Sequence, residues 1–298
     1  MTKKVKIFGL LLFALVFLAS CLGSDAQRIK IDGSATVLPL TQAVVEDFMT
    51  AEGQTEIAVS ASGTGGGFQK FINGETDVQN ASRRITEHEM KTAEQNGVTY
   101  YELVVANDAI IVAVNKTNTW VKELTQEQLY NIFKADSEIK QWSDIQSDWP
   151  QTDINFYVPA LDSGTFDYFQ THVMKGMTPV RADVTASQDL NILVRGVEGD
   201  ANALGFFSYA YYQSAKDKVT QLRIDGVAPN EEAIRERTYP LTRDLYIYVN
   251  KEKYATKTVL KKFVTYYMER ASQLAEEVGF VPLTLDAYER EKEKIVGN

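Results

Sequence analysis

Cysteine is almost absent: the 298 residues contain one thiol, at position 21. That excludes an intramolecular disulfide and any zinc centre built on cysteines. Histidine is nearly as scarce. His88 and His172 stand alone in polar, helix-like surroundings, and no H-E-x-x-H pairing, G-x-S-x-G elbow or metal-ligand cluster accompanies them, so hydrolytic and metal chemistry lack their usual parts. Positive charge is in deficit, with 31 Lys and Arg against 40 Asp and Glu, a net charge of −9 and a pI near 5.0. Nonspecific nucleic-acid binding needs the opposite balance. With 18 Gly and 7 Pro, collagen-like and low-complexity classes are excluded. What is there is the composition of a globular protein, 44% hydrophobic and 24% charged, at a length that favours two domains.

The long apolar run at 7–18 is too short for a membrane span, which needs about 20 residues. It follows Lys3, Lys4 and Lys6 and precedes the small residues Ala19 and Ser20, the order of an export signal. The segment Leu18-Ala19-Ser20-Cys21 resembles a bacterial lipobox. That implies lipidation of Cys21, cleavage of 1–20, and a tether at 21–27. Each buried CH₂ of an acyl chain contributes about 0.8 kcal/mol, so a multiply acylated Cys21 would anchor the chain to the cell membrane on its extracytoplasmic face.

The remainder reads as repeated strand–turn–helix units, the pattern of an α/β protein with a mostly parallel sheet. Strands are expected at 28–32, 56–60, 77–81, 109–115, 155–159 and 245–249, the run at 109–115 being apolar enough for burial on both faces. Helices are expected from Pro39 to about Ala51, after a glycine-rich loop at 62–67, after the capping box Thr125–Gln128, after 162–165, at 256–268, and from Tyr288 onward. Tyr209, Tyr211, Tyr212, Tyr266 and Tyr267 read as core packing with polar tips, ahead of a carbohydrate platform. No Gly/Ser linker separates two domains, which points to strands crossing between two halves.

Three turns share one design: Gly33-Ser34-Ala35-Thr36, Ser62-Gly63-Thr64-Gly65 and Asp162-Ser163-Gly164-Thr165 each follow a strand and precede a helix. Helix N-termini present unpaired N–H groups and partial positive charge, glycine admits close approach, and Ser and Thr add hydroxyl donors. One such turn is ordinary capping; three suggest an oxyanion site made of neutral dipoles. A fourth segment, Asn80-Ala81-Ser82-Arg83-Arg84, offers a hydroxyl and a guanidinium suited to forked contact with an oxyanion.

At these residues the chain resembles the phosphate-binding proteins of bacterial phosphate-specific ABC transporters. The resemblance is carried by DGSATVLPL (32–40), SGTGGGFQKFINGETDVQNASRRI (62–85), VVANDAIIVAVN (104–115), LTQEQLYNIF (124–133), LDSGTFDYF (161–169), GDANALGFFSYAYY (199–212) and YPLTRDLYIYV (239–249), in order along nearly the whole exported chain. It implies a type II periplasmic-binding-protein fold, with lobe I at 28–108 and 247–298 and lobe II at 109–246. It implies a non-enzymatic receptor without cofactor or metal, a monomer that binds inorganic phosphate between the lobes and delivers it to ABC permease and ATPase subunits. Residue by residue, it places Thr36 and the Val37 N–H, Thr64, Ser82 and Arg83, and Ser163, Gly164 and Thr165 on the ligand, with Ser34 nearby. Two departures matter. Some members carry an Asp where Arg83 stands, which accepts the proton of phosphate and rejects sulfate; Asp108, ahead of Asp162, is the expected substitute. Some also carry an Arg before the Ser-Gly-Thr turn, where this chain has Val158-Pro159-Ala160-Leu161, and Arg83 is expected to supply that charge. Sulfate or molybdate remains an alternative ligand, and an extracytoplasmic phosphatase a more distant one.

Overall fold

The computed structural model describes residues 28–296 apart from positions 54, 162 and 177. The expected export signal, the tether with Cys21, and Asp162 lie outside the described residues.

The first half of the molecule opens with β1 (Arg28–Gly33), α1 (Leu38–Glu52), β2 (Glu56–Val59), α2 (Gly63–Ile72), β3 (Val78–Ala81) and α3 (Glu87–Gln95). β4 (Tyr100–Asn115) then runs out of it. The second half holds β5 (Glu123–Leu124), α4 (Gln126–Phe133), α5 (Trp142–Ile145), β6 (Asn155–Pro159), α6 (Gly164–His172), β7 (Val184–Ser187) and α7 (Leu190–Gly199). It continues with β8 (Ala203–Ser208), α8 (Tyr209–Gln213), β9 (Val219–Gln221), β10 (Arg223–Ile224) and α9 (Glu231–Arg235). The chain returns through β11 (Thr242–Asn250) and closes with α10 (Lys251–Thr256), α11 (Thr258–Glu277) and α12 (Leu285–Val296). Among the described residues no helix is long and apolar enough to cross a membrane.

The main sheet runs β2-β1-β3-β11-β4-β8-β6-β7, with β9 also on β4. β4 belongs to both halves. Its stretch from Tyr100 to Ala109 pairs antiparallel with β11, and Ile110 to Val114 pairs with β8. From Val105 onward every residue of β4 is buried, as the apolar run predicted for its second part. Alternate residues of β11 point to opposite faces: Leu245 and Ile247 pack with Leu40, Phe48 and Phe263 under α1 and α11, while Tyr246 and Tyr248 pack with Phe68 and Phe71 under α2. A second core, with Ile111, Phe133, Trp142, Phe169 and Phe206, fills the other half and takes in Leu241. Leu241 packs in one core and Leu245 in the other.

The glycine segment at 62–67 is not a loop. It is the opening of α2, which starts at Gly63. Glycine is a poor helix former, but here it is required by contact: a Cβ on Gly67 would lie 2.5 Å from the Gly33 Cα, and one on Gly33, itself at φ +128°, would lie 2.1 Å from the Asn80 carbonyl oxygen. The turn after β1, the start of α2 and the end of β3 can therefore touch. The Thr125–Gln128 capping box forms as expected, and Thr86–Glu89 forms another.

β4 carries a bulge opposite Leu245 and Tyr246. Helix α12 covers it: Tyr288 Oη donates to the Val105 carbonyl at 2.8 Å, and the Val104 N–H donates to the Glu291 carboxylate at 2.9 Å. Just beyond, Asn107 and Val281 exchange backbone hydrogen bonds of 2.8 and 3.1 Å. The last part of the chain thus satisfies polar groups that the bulge leaves without ladder partners.

Candidate anion-binding site

The turns singled out in the sequence converge at the seam between the two halves. Ser34 Oγ donates to Ser82 Oγ at 2.9 Å, and Ser82 Oγ lies 3.2 Å from Thr64 Oγ1. Thr36 Oγ1 and Thr165 Oγ1 meet across the seam at 2.9 Å. Gly164 closes over the first group: a Cβ there would lie 2.2 Å from both Ser82 Oγ and Thr64 Oγ1. Ser34, Thr36, Thr64, Ser82, Ser163 and Thr165 are all buried. Ser163 caps α6, its hydroxyl accepting the Thr165 N–H at 3.1 Å, and Val37 occupies the N-cap of α1, fully buried. The N-termini of α1, α2 and α6 therefore meet in one place, with hydroxyls between them. Hydroxyls can donate and accept in turn, which suits a polyoxygen anion with a proton of its own.

Two buried groups that the sequence did not single out fix this geometry. Asp32, at the end of β1, accepts the N–H of Gly33 at 2.7 Å and both the N–H and hydroxyl of Ser62 at 2.9 and 3.0 Å, and it is paired with Lys70. Burial alone raises its carboxyl, but Lys70 and the Ser62 and Gly33 donors outweigh that and hold it below the usual carboxylate value. Gln79 Nε2 donates to the Thr64 carbonyl at 3.0 Å from beneath.

The charged residues behave differently from expectation. Arg83 was expected on the ligand, but its guanidinium turns away. Nη1 and Nη2 donate to Glu89 at 2.8 and 2.9 Å, Nη1 also reaches the Arg84 carbonyl at 3.0 Å, and Nε donates to Asp167 at 2.9 Å. The cation at the hydroxyl cluster is Arg243, on β11. Its Nη2 donates to Thr165 Oγ1 at 2.8 Å, its Nη1 lies 3.3 Å from the Gly164 carbonyl, and its side chain is 1% exposed. Asp108 faces it across the β4–β11 pair, taking Nε at 3.1 Å and Nη2 at 2.8 Å on one oxygen. The other oxygen takes Ser208 Oγ and the Tyr209 N–H, both at 3.0 Å. Four donors fill the acceptor sites of this carboxylate, so Asp108 orients Arg243 and has none left for an anion's proton. The signal for Arg243 was present as a Thr-Arg-Asp run leading into an apolar strand, but it reads as a polar turn when its partners are unknown.

Tyrosines brace the seam. Tyr168 donates to the Thr242 carbonyl, and Tyr211 Oη lies 3.4 Å from the Ala35 carbonyl. Burial pushes the Tyr211 phenol up to about 12, so it remains a donor at neutral pH. Beside it a groove of about 480 Å³ opens between the halves, lined by Leu38, Pro39 and Gln42 on one side and Asp189, Leu190 and Tyr211 on the other. Among the described residues no group of three or more His, Cys, Asp or Glu is placed to hold a metal.

A sequence model described as the PBP superfamily domain matches residues 22–271. The "Phosphate-binding protein PstS" of Staphylococcus saprophyticus is 35% identical over 92% of this chain and 86% of its own length. The chain belongs to the phosphate-binding proteins of bacterial phosphate ABC transporters. It is also 42% identical to "Protein SphX" of Synechococcus elongatus, over 89% of this chain and 81% of that protein. Among solved structures, a possible phosphate binding protein from Planctomyces limnophilus superposes with a TM-score of 0.71 at 36% identity, covering 91% of this chain and 98% of that one. A Clostridium perfringens substrate-binding protein with bound phosphate gives 0.73 at 24% identity, covering 86% and 100%, a likeness of fold. The fold is thus the α/β periplasmic-binding-protein fold, and the family is one of transport receptors, not enzymes.

Proposed function

We propose that this chain is an extracytoplasmic receptor, lipid-anchored at Cys21, that takes inorganic phosphate between its halves and hands it to an ABC permease. The observation that carries this reading is the convergence of five buried hydroxyls, from Ser34, Thr36, Thr64, Ser82 and Thr165, with three helix N-termini and one buried guanidinium. We place the ligand against these hydroxyls, the backbone of Val37, Ser163 and Gly164, and Arg243. Neutral dipoles supply most of the donors, and the Arg243–Asp108 pair adds direction without net charge. The lobes are 28–108 with the returning chain, and the intervening segment, hinged where β4 and β11 cross. Closure binds the anion because donors from both lobes reach it only when the lobes meet.

The occupied oxygens of Asp108 favour a second reading on one point: no carboxylate of the described cluster is left to oppose an unprotonated oxyanion. Calorimetric titration of the chain with phosphate, sulfate and molybdate decides it. Phosphate affinity on the order of micromolar or tighter is expected. Equal sulfate affinity would turn the protein into a general tetrahedral-oxyanion receptor, and turnover of a phosphoester would make it a hydrolase.

A further inference from the structure

The ion pair beside the hydroxyl cluster spans the seam. Arg83 follows Ser82 at the end of β3, in the first half, while Asp167 lies on α6, the helix whose first residues are Gly164 and Thr165. Arg83 is held firmly on its own side. Glu89 grips both terminal nitrogens, the Thr86 capping box fixes Glu89 in turn, and the guanidinium sits 5.3 Å from the centroid of the Phe68 ring. Nε reaches across, to Asp167 at 2.9 Å. The Arg83 side chain is 15% exposed and that of Asp167 31%, so the bond is partly shielded from water and is stronger than a rim contact.

We propose that Arg83 and Asp167 form a latch that stabilises the closed cleft without touching the ligand. The inference rests on the receptor reading for its consequence, but not for its geometry. α6 is a rigid carrier: when its Asp167 engages Arg83, its Gly164 and Thr165 are brought onto Thr64, Ser82 and Thr36. Parting the lobes breaks the pair, while Arg83 keeps Glu89 on its own side. The latch therefore exists in one state only, which is the condition for biasing an equilibrium. An anion in the closed cleft leaves more slowly because the latch must open first.

The test is made on the full chain. Asp167→Asn is expected to speed phosphate release about tenfold while leaving association within about twofold, since a shielded pair acts mainly on dissociation. Arg83→Gln should act in the same direction, and the double variant should be no worse than either single one. In the ligand-free chain, Asp167→Asn should also speed amide exchange across the seam, at 33–41, where a change confined to α6 would leave exchange as it was. Unchanged release and exchange in Asp167→Asn overturns the latch, as does weakened binding in Arg83→Gln alone, which would return Arg83 to the ligand. Should the unaltered chain take no phosphate while Asp167→Asn still speeds exchange at 33–41, the latch stands and the receptor reading falls. If Arg83→Gln fails to fold, the partly exposed Asp167 variant decides alone.

Discussion

Arg83 and Arg243 are two guanidiniums drawn out of water within one seam, and their surroundings set them to different work. Arg243 has a carboxylate, a hydroxyl and a carbonyl around it, all buried, and its partner Asp108 has no exposure at all. Arg83 has two carboxylates, one on each side of the seam, and keeps partial contact with solvent. A cation facing a hydroxyl cluster can serve an incoming anion; one enclosed by two carboxylates has already found its anions. Adjacency in the chain to Ser82 counts for less than what the guanidinium meets in space.

The sharpest way to break this contrast is Arg243→Met. It strands a buried Asp108, so a loss of about 3–5 kcal/mol of stability is expected in denaturant unfolding, together with loss of phosphate binding. The double variant Arg243→Met with Asp108→Asn, which removes the stranded charge and keeps an acceptor for Ser208 and Tyr209, should recover part of the stability and none of the binding; recovered binding would deny Arg243 its place at the ligand. Next in size is Gly164→Ala. Its methyl would meet Thr64 and Ser82 across the seam, and overpacking of about 1–3 kcal/mol converts to phosphate affinity weaker by roughly ten- to a hundredfold. Because the clash lies between the lobes, thermal unfolding should barely move, and calorimetry paired with a melting curve separates the two effects. The smallest effect belongs to Arg84, which follows Arg83 but has a side chain 69% exposed and lies 3.4 Å from Glu102. Arg84→Gln should cost less than about 0.5 kcal/mol and leave affinity unchanged, the control that a charge at this corner matters only through its partners.

How much of this was legible depended on whether a residue's partners lay nearby in the chain. The alternation of β1, the capping box at Thr125 and the apolar second part of β4 announce themselves locally. The first part of β4 and the opening of β11 did not, because Glu102, Asn107, Asp108, Arg243 and Asp244 look like turn residues until they are seen satisfying one another across the pair. The hydroxyl turns could be singled out together because each is a complete strand–turn–helix unit, and the structure brings them into contact. Arg243 could not be, since Asp108 and Thr165 lie far from it in the chain. The glycine run misled in a different way: propensity argued for a loop, and contact with Gly33 and Gln79 overrode it.

The first core is assembled from both ends of the polypeptide, with β11, α11 and α12 completing what β1 to β3 begin, whereas the second is drawn almost wholly from one uninterrupted stretch. A ribosome therefore releases nearly everything the second core requires, Val281 apart, while the first still lacks its central strand. Folding of the first half waits on long-range pairing, the slow kind, so the nascent protein carries its earliest strands unfinished until synthesis is nearly over.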